Sequence, residues 1–305
     1  MKHSKLYSLL VMSALLLGFA SGCGGGASDV PTITVKPAEK EAAPSADDTP
    51  VGDDTPSNGG SKDGFGTFEG RVVIQGTASP RPALVLKGKA ARDPAVCAAT
   101  ANIPDESLLV SEDDGLANVF IYLKKAPKNG KDSLGIEAEQ ALELDQKGCI
   151  FKPHAMVVRT GEVIIVRNSD PKPHNIKTKP ALGQPFEATL NQGQTGELVF
   201  DRSEPVPVGA ECNYHTWMRA YQLPLDHPYG VVTKADGSFT IPNLPVGTHQ
   251  FVIWHERSTR PLFTRFTVKI KSDGEVVEET IEVEAAKLTD VGGARTKTIK
   301  LSLNR

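Results

Sequence analysis

The stretch FKPHAMVVRTGEVIIVRNSDPKPHN, residues 151–175, decides how the rest of the chain is read. Two short apolar runs, AMVV and VIIV, are separated by a Thr-Gly turn, and neither is long enough for a stable amphipathic helix. The second run stops in the polar turn NSDPKPHN, where His174 follows six residues after Asn168. A buried strand ending in a histidine-bearing turn is the expectation.

The same texture continues on both sides. GRVVIQG, NVFIYLKK, GELVF, FVIWHE, FTRFTVKIK and VVEETIEVE are short, β-branched and aromatic runs bounded by Gly, Pro and Asn. Such runs with frequent turn signals predict an all-β protein built of sandwiches or barrels. Only residues 93–101 and 134–142 carry a helical pattern, each a turn or two long. No Gly-rich phosphate loop and no GxSxG elbow interrupts the strands, which removes the usual nucleotide and hydrolase readings.

The chain has 305 residues, 39% of them hydrophobic, enough for about two domains once a leader is set aside. Lys2 and Lys5 precede an apolar run, LLVMSALLLGFA, too short to span a bilayer comfortably, so residues 1–22 read as an export signal. ASGC, ending at Cys23, resembles the bacterial lipobox, although Ala20 stands where Leu is usual. The resemblance implies lipidation of Cys23 and anchoring to a bacterial membrane, facing the periplasm or the surface. Cleavage by an ordinary signal peptidase is the alternative. Residues 23–64 are rich in Gly, Ser, Pro, Ala and Asp, with stretches almost free of large apolar side chains, and carry eight acids between Asp29 and Asp63 against Lys36, Lys40 and Lys62, the pattern of a solvated tether. With the charges of the tether and of Lys2 and Lys5 in the leader both removed, the remainder is neutral, which gives no case for a nucleic-acid partner.

Four cysteines are present. With Cys23 assigned to lipid, Cys97, Cys149 and Cys212 form an odd set in an exported chain, so one is unpaired or bound to something. Cys97 and Cys149 have no histidine at ligand spacing, His154 being the nearest, and a Cys97–Cys149 disulfide is the preferred pairing. Cys212 is left in CNYHTWM, beside His215 and Met218. Thiolate, imidazole and thioether make a soft set suited to copper rather than magnesium or calcium, and a type 1 copper centre requires one more imidazole. His174 is the candidate.

At this point the sequence resembles the cupredoxin family. Phe151, Pro153, Val157, Gly161, Val163, Asn168, Asp170 and His174 fill that family's pattern of F-x-P, two apolar strands about a Gly, and N-x-D before the first ligand histidine. CNYHTWM matches the short C-x-x-H-x-x-M loop, with Trp217 as in the amicyanin type and Thr216 where relatives often carry Pro. The resemblance implies a Greek-key sandwich over residues 141–225, with one copper ion on His174, Cys212, His215 and Met218. Asn175 would cross-link the two ligand loops, and electrons would pass to a redox protein facing His215. It implies an electron carrier rather than an enzyme. A binuclear centre lacks its second cysteine, and a nitrite-reductase-like enzyme needs a further histidine cluster. A noncatalytic carbohydrate-binding or adhesion lipoprotein, or a copper storage or delivery protein, remains the alternative.

Downstream, YGVVTKADGSFTIPNLPVGTHQFVIWHE resembles the carboxypeptidase-regulatory or transthyretin-like β-domain. Such domains begin with strands like GTFEGRVVIQG and LANVFIYLKK, which occur here before the cupredoxin-like stretch. The expected organisation is therefore a segment 65–140, a cupredoxin-like unit 141–225, a segment 226–285 and a tail 286–305. The central unit would be inserted into one sandwich made by the flanking segments, with consecutive sandwiches as the alternative. Pairing of residues 71–75 with 251–254 is the expected sign of insertion, and its absence is expected to speak against it. Of the remaining histidines, His154 is expected as a surface or core residue, His227 in a turn and His249 facing solvent. His255 is expected as a satisfied strand-end residue beside a surface acid, Glu256, and Trp254 in a core.

Overall fold

The computed structural model describes residues 64–78, 81–132, 142–258 and 260–288, all within one compact unit, residues 57–305. The expected leader, Cys23, the tether through residue 63, nearly all of the patch 134–142 and the tail beyond residue 288 lie outside the described residues. The described chain is all-β apart from one 3-10 turn at Ala285–Lys287.

Two strands come first, β1 (Phe65–Gln75) and β2 (Phe120–Leu123). The central stretch holds β3 (Glu143–Gln146), β4 (Phe151–Lys152), β5 (Ala155–Arg159), β6 (Val163–Asn168), β7 (His174–Thr178), β8 (Phe186–Leu190), β9 (Thr195–Val199), β10 (Val208–Glu211) and β11 (Arg219–Leu225). Then follow β12 (Gly230–Val232), β13 (Ser238–Pro245), β14 (Gly247–Trp254), β15 (Phe263–Ile270) and β16 (Val276–Glu284). The central strands pair only among themselves, in sheets ordered β5-β11-β10-β7-β8 and β4-β3-β6-β9. The flanking strands form β13-β1-β16 and β12-β2-β14-β15, so the chain leaves one sandwich, builds another, and returns.

The pairing expected between residues 71–75 and 251–254 is absent. β1 instead runs antiparallel to β13 and parallel to β16, while β14 takes β2 as its neighbour. β1 and β14 thus lie in different sheets of the same sandwich. Phe68, Val72 and Ile74 alternate into its core, and Phe68 meets Phe239 and Phe251 at ring-centroid distances of 5.0 Å each.

β2 reads as an unbroken apolar run because both its faces are covered. Ile121 and Leu123 enter the core of the flanking sandwich, and Phe120 and Tyr122 pack with Leu223, Leu225 and Val252 between the two sandwiches. Tyr122 Oη donates to Pro205 O at 2.8 Å and fixes that contact. The turn Asp236-Gly237 sits tightly against β1: Gly237 has φ 80°, and a Cβ there would lie 2.4 Å from Val72 O and 2.8 Å from Leu116 N. Gly237→Ala is expected to destabilise the protein by roughly 2–3 kcal/mol in urea unfolding, because left-handed strain and overpacking add.

Four sequence expectations change. Residues 85–103, assigned with the flanking segment, pack through Val85, Ala90, Cys97, Ala98 and Ile103 into the core of the central sandwich. Residues 93–101 form turns rather than helix, with Asp93 and Ala98 at positive φ. His249 is buried, its Nε2 donating to Pro245 O at 2.7 Å, so it does not face solvent. Glu256 is no surface acid either, since it is held against His154 between the sandwiches. His255 is buried, and burial, then His154 and Arg257, push its imidazole down to about 3. A folded-state value below the unfolded one means stability is full above pH 6.5 and falls as pH drops toward 3. His255→Asn is expected to flatten that acid limb in unfolding curves measured across the range.

Candidate metal centre

Three strand ends bring the candidate ligands together. His174 opens β7, Cys212 follows β10 and Met218 precedes β11. β10 runs antiparallel to both neighbours, pairing Glu211 with Lys177 and with Arg219, so the start of β7 and the loop 212–218 share one end of the sheet. That loop is closed by Met218 N–H donating to His215 O at 2.8 Å. Upstream, Asn168 Nδ2 donates to Lys172 O and Leu190 O, both at 2.8 Å, and shapes the turn that presents His174.

The ligand atoms of His174, Cys212 and His215 lie within 4.8 Å of one another. The imidazole rings of His174 and His215 are 4.5 Å apart between centroids, and Cys212 Sγ is 3.8 Å from His215 Nδ1. Both distal nitrogens are occupied by carboxylates: His174 Nε2 donates to Asp170 at 2.9 Å and His215 Nε2 donates to Asp93 at 3.1 Å. This leaves the two Nδ1 atoms facing the thiol, and His174 Nδ1 is buried without a hydrogen-bond partner. A buried lone pair left unmatched beside a thiol and a second imidazole fits a metal ion. Cys149 and Asp170 also lie within ligand range of His174, but the Cys149 sulfur is committed to the disulfide with Cys97.

Burial alone would push the Cys212 thiol up. The facing imidazoles of His174 and His215 and the Asn175 amide, the last at 3.4 Å, outweigh it and bring the thiol down to about 5. For His174 burial works downward, while Asp170 and Cys212 together raise it to about 9. Both imidazoles and the Asn175 amide thus favour the thiolate, the form in which sulfur ligates.

Met218 is buried in the same core as Cys212. Asn175 links the two loops, its N–H donating to Cys212 Sγ and its Oδ1 accepting Asn213 N–H at 3.4 Å. Exposure is 0% for His174, 2% for Cys212, 0% for His215 and 1% for Met218, so no ligand side chain reaches solvent. The expectation that His215 presents an edge to a partner is therefore corrected: Asp93 covers its Nε2, and Lys172 and Arg92 in turn flank Asp93.

Asp93 was not recognised in the sequence. It lies 122 residues from His215 in a stretch without strand periodicity, and its one available signal was Cys97, four residues on, whose bridge to Cys149 brings the segment to the centre. Among the described residues, the remaining histidines stay apart from the centre. His154 pairs with Glu256, and His227 accepts Tyr229 N–H through Nδ1 within its turn.

No protein-family model and no curated protein matches the chain. Among solved structures, a copper-containing nitrite reductase from Thermus scotoductus is 17% identical over 28% of this chain, with a TM-score of 0.26, and the match spans 22% of the reductase. A purple cupredoxin from Nitrosopumilus maritimus is 20% identical over 27% of this chain and 98% of its own, with a TM-score of 0.24. An amicyanin variant in the reduced state is 17% identical over 35% of this chain and 98% of its own, with a TM-score of 0.26. Likenesses of this extent leave the assignment of the centre to its own geometry.

Proposed function

We propose that the chain is a type 1 copper protein carrying single electrons between redox partners at a bacterial envelope, held to the membrane by lipid on Cys23. One observation supports it above the others: a buried thiol and two imidazoles converge with both distal nitrogens tied to carboxylates. His174 and His215 would hold the ion through Nδ1, Cys212 through Sγ, and Met218 is the candidate thioether. Thiolate and imidazole with a weak thioether favour copper over the hard cations. Bound copper supplies a one-electron couple. The chain's own contribution is to fix both rings by Asp170 and Asp93, to hold the thiolate with the Asn175 amide, and to exclude water.

Cu(II) added to the reduced protein is expected to give an intense visible thiolate-to-copper band that is lost in Cys212→Ser. A colourless protein would remove the electron-carrier reading in favour of a noncatalytic binding role, and stable Cu(I) without reversible oxidation would favour storage or delivery. Labelled fatty acid is expected to enter the protein and to vanish in Cys23→Ala.

A further inference from the structure

Electrons must enter or leave a centre whose ligands are all shielded. Asp93 covers His215 Nε2 and the ring is buried, so a neighbouring side chain has to connect His215 to the surface. Trp217 is that side chain. Its ring lies edge-on to His215 at 5.3 Å between centroids, its Nε1 donates to Cys149 O at 3.0 Å, and it is only partly buried.

Trp217 lines a cavity of about 310 Å³, together with His154, Tyr221, Glu106 and Glu256. That volume suits a molecule of one or two rings. The cavity's charges balance, with Arg81, Arg219 and Arg257 against Asp105, Glu106 and Glu256, which favours a neutral occupant over an ion. Aromatic surface is abundant, since His154 and Tyr221 meet edge to face at 6.0 Å and Tyr221 continues to Trp254 at 5.3 Å. Two of the acids differ in their commitments. Glu256 is fully engaged by His154 Nε2, whereas Glu106 stands 3.8 Å from His154 Nδ1 with no closer partner among the described ion pairs. Burial raises the Glu106 carboxyl above its ordinary value, which suits it to take up a proton.

We propose that this cavity binds a neutral phenol or hydroquinone and is the entry point for electrons, with Trp217 as the conducting side chain and Glu106 as the proton acceptor. The inference rests on the copper reading above for its redox step. In that step one O–H bond of the bound hydroquinone breaks, the proton passes to Glu106, and the electron leaves through Trp217 and His215. Cu(II) is reduced to Cu(I) and a neutral semiquinone remains. An aromatic donor that sheds a proton with its electron needs both a π contact and a base, and Trp217 and Glu106 both line the cavity.

The probe is 1,4-hydroquinone. Calorimetric titration into the metal-free full chain is expected to show saturable binding that disappears in Leu84→Trp, a change at an exposed residue on the cavity rim. Absence of binding to the metal-free protein overturns the proposal whether or not copper binds. In the copper-loaded protein, bleaching of the visible band is expected to saturate with hydroquinone. It should slow about a hundredfold in Glu106→Gln, while reduction by dithionite, which releases no substrate proton, stays unchanged. A bleaching rate that is linear in hydroquinone and equal in Glu106→Gln and the unaltered protein also overturns it. Failure of the band to form before any reductant is added speaks against the copper reading alone.

Discussion

Replacing Cys97 and Cys149 together by Ser is expected to lower the unfolding free energy by about 4 kcal/mol, the chain-entropy value for a loop of this size. The two cysteines are 52 residues apart, and both are buried in the core that also holds Cys212 and Met218. Guanidinium unfolding of the metal-free protein measures the effect. The loss should be accompanied by a local one. The segment carrying Cys97 has few regular backbone pairings, namely Val85 with Ile103 and Gly88 N–H to Ala98 O, so the bridge is its main long-range tether. Asp93, whose carbonyl accepts Cys97 N–H at 2.8 Å, should then leave His215. Hydrogen exchange is expected to accelerate across residues 85–103 while β6 and β9 remain protected. An unchanged stability, or uniform acceleration over both sandwiches, would contradict this account of the bridge.

Asp170→Ala is expected to cost about 3–5 kcal/mol in the metal-free protein and to weaken copper binding 10–100-fold. The Asp170 carboxylate accepts Gly148 N–H and Cys149 N–H at 2.7 Å each and His174 Nε2–H at 2.9 Å, and is itself buried. Truncation leaves the buried His174 Nε2–H and Cys149 N–H without an acceptor, which is worse than never having placed the groups there. Asp170→Asn keeps the shape and one accepting oxygen but aims an amide N–H at a donor, so it should recover part of the stability and little of the affinity. Denaturation separates the first effect and a chelator-competition titration the second. If the Ala and Asn variants lose stability equally but bind copper as the unaltered protein does, Asp170 supports only the turn and not the ring.

The sheets were legible because their cause is local. AMVV and VIIV alternate in burial as β5 and β6, and the end of the second run leads into the turn that presents His174. The grouping of His174 with Cys212 and His215 was readable from spacing and side-chain chemistry, although they meet only because β7, β10 and β11 align their ends. Which strand of the flanking sandwich receives β1 was not readable. β13 and β14 are both apolar, and the choice is made by β16, whose parallel register runs from Thr67 with Val276 to Gln75 with Glu284. Asp93 and Glu256 escaped for a shared reason. An acid reads as solvated until the histidine it faces is known, and both histidines are far away in sequence. His249 was expected to face solvent, but it shares the inward face of its strand with Phe251, and its imidazole turns back onto Pro245 O.

The interrupted course of the flanking sandwich has a consequence for the order of events during synthesis. β1 finds its nine-residue parallel partner only when residues 276–284 have been made, so until then this long strand is an open edge. The central sandwich needs nothing beyond residue 225 to complete its own sheets. Segments 85–103 and 143–225 are therefore free to close around the thiol and imidazoles while the outer sandwich is still incomplete. The metal site can be finished before its scaffold, and the last strand among the described residues is the one that locks the first.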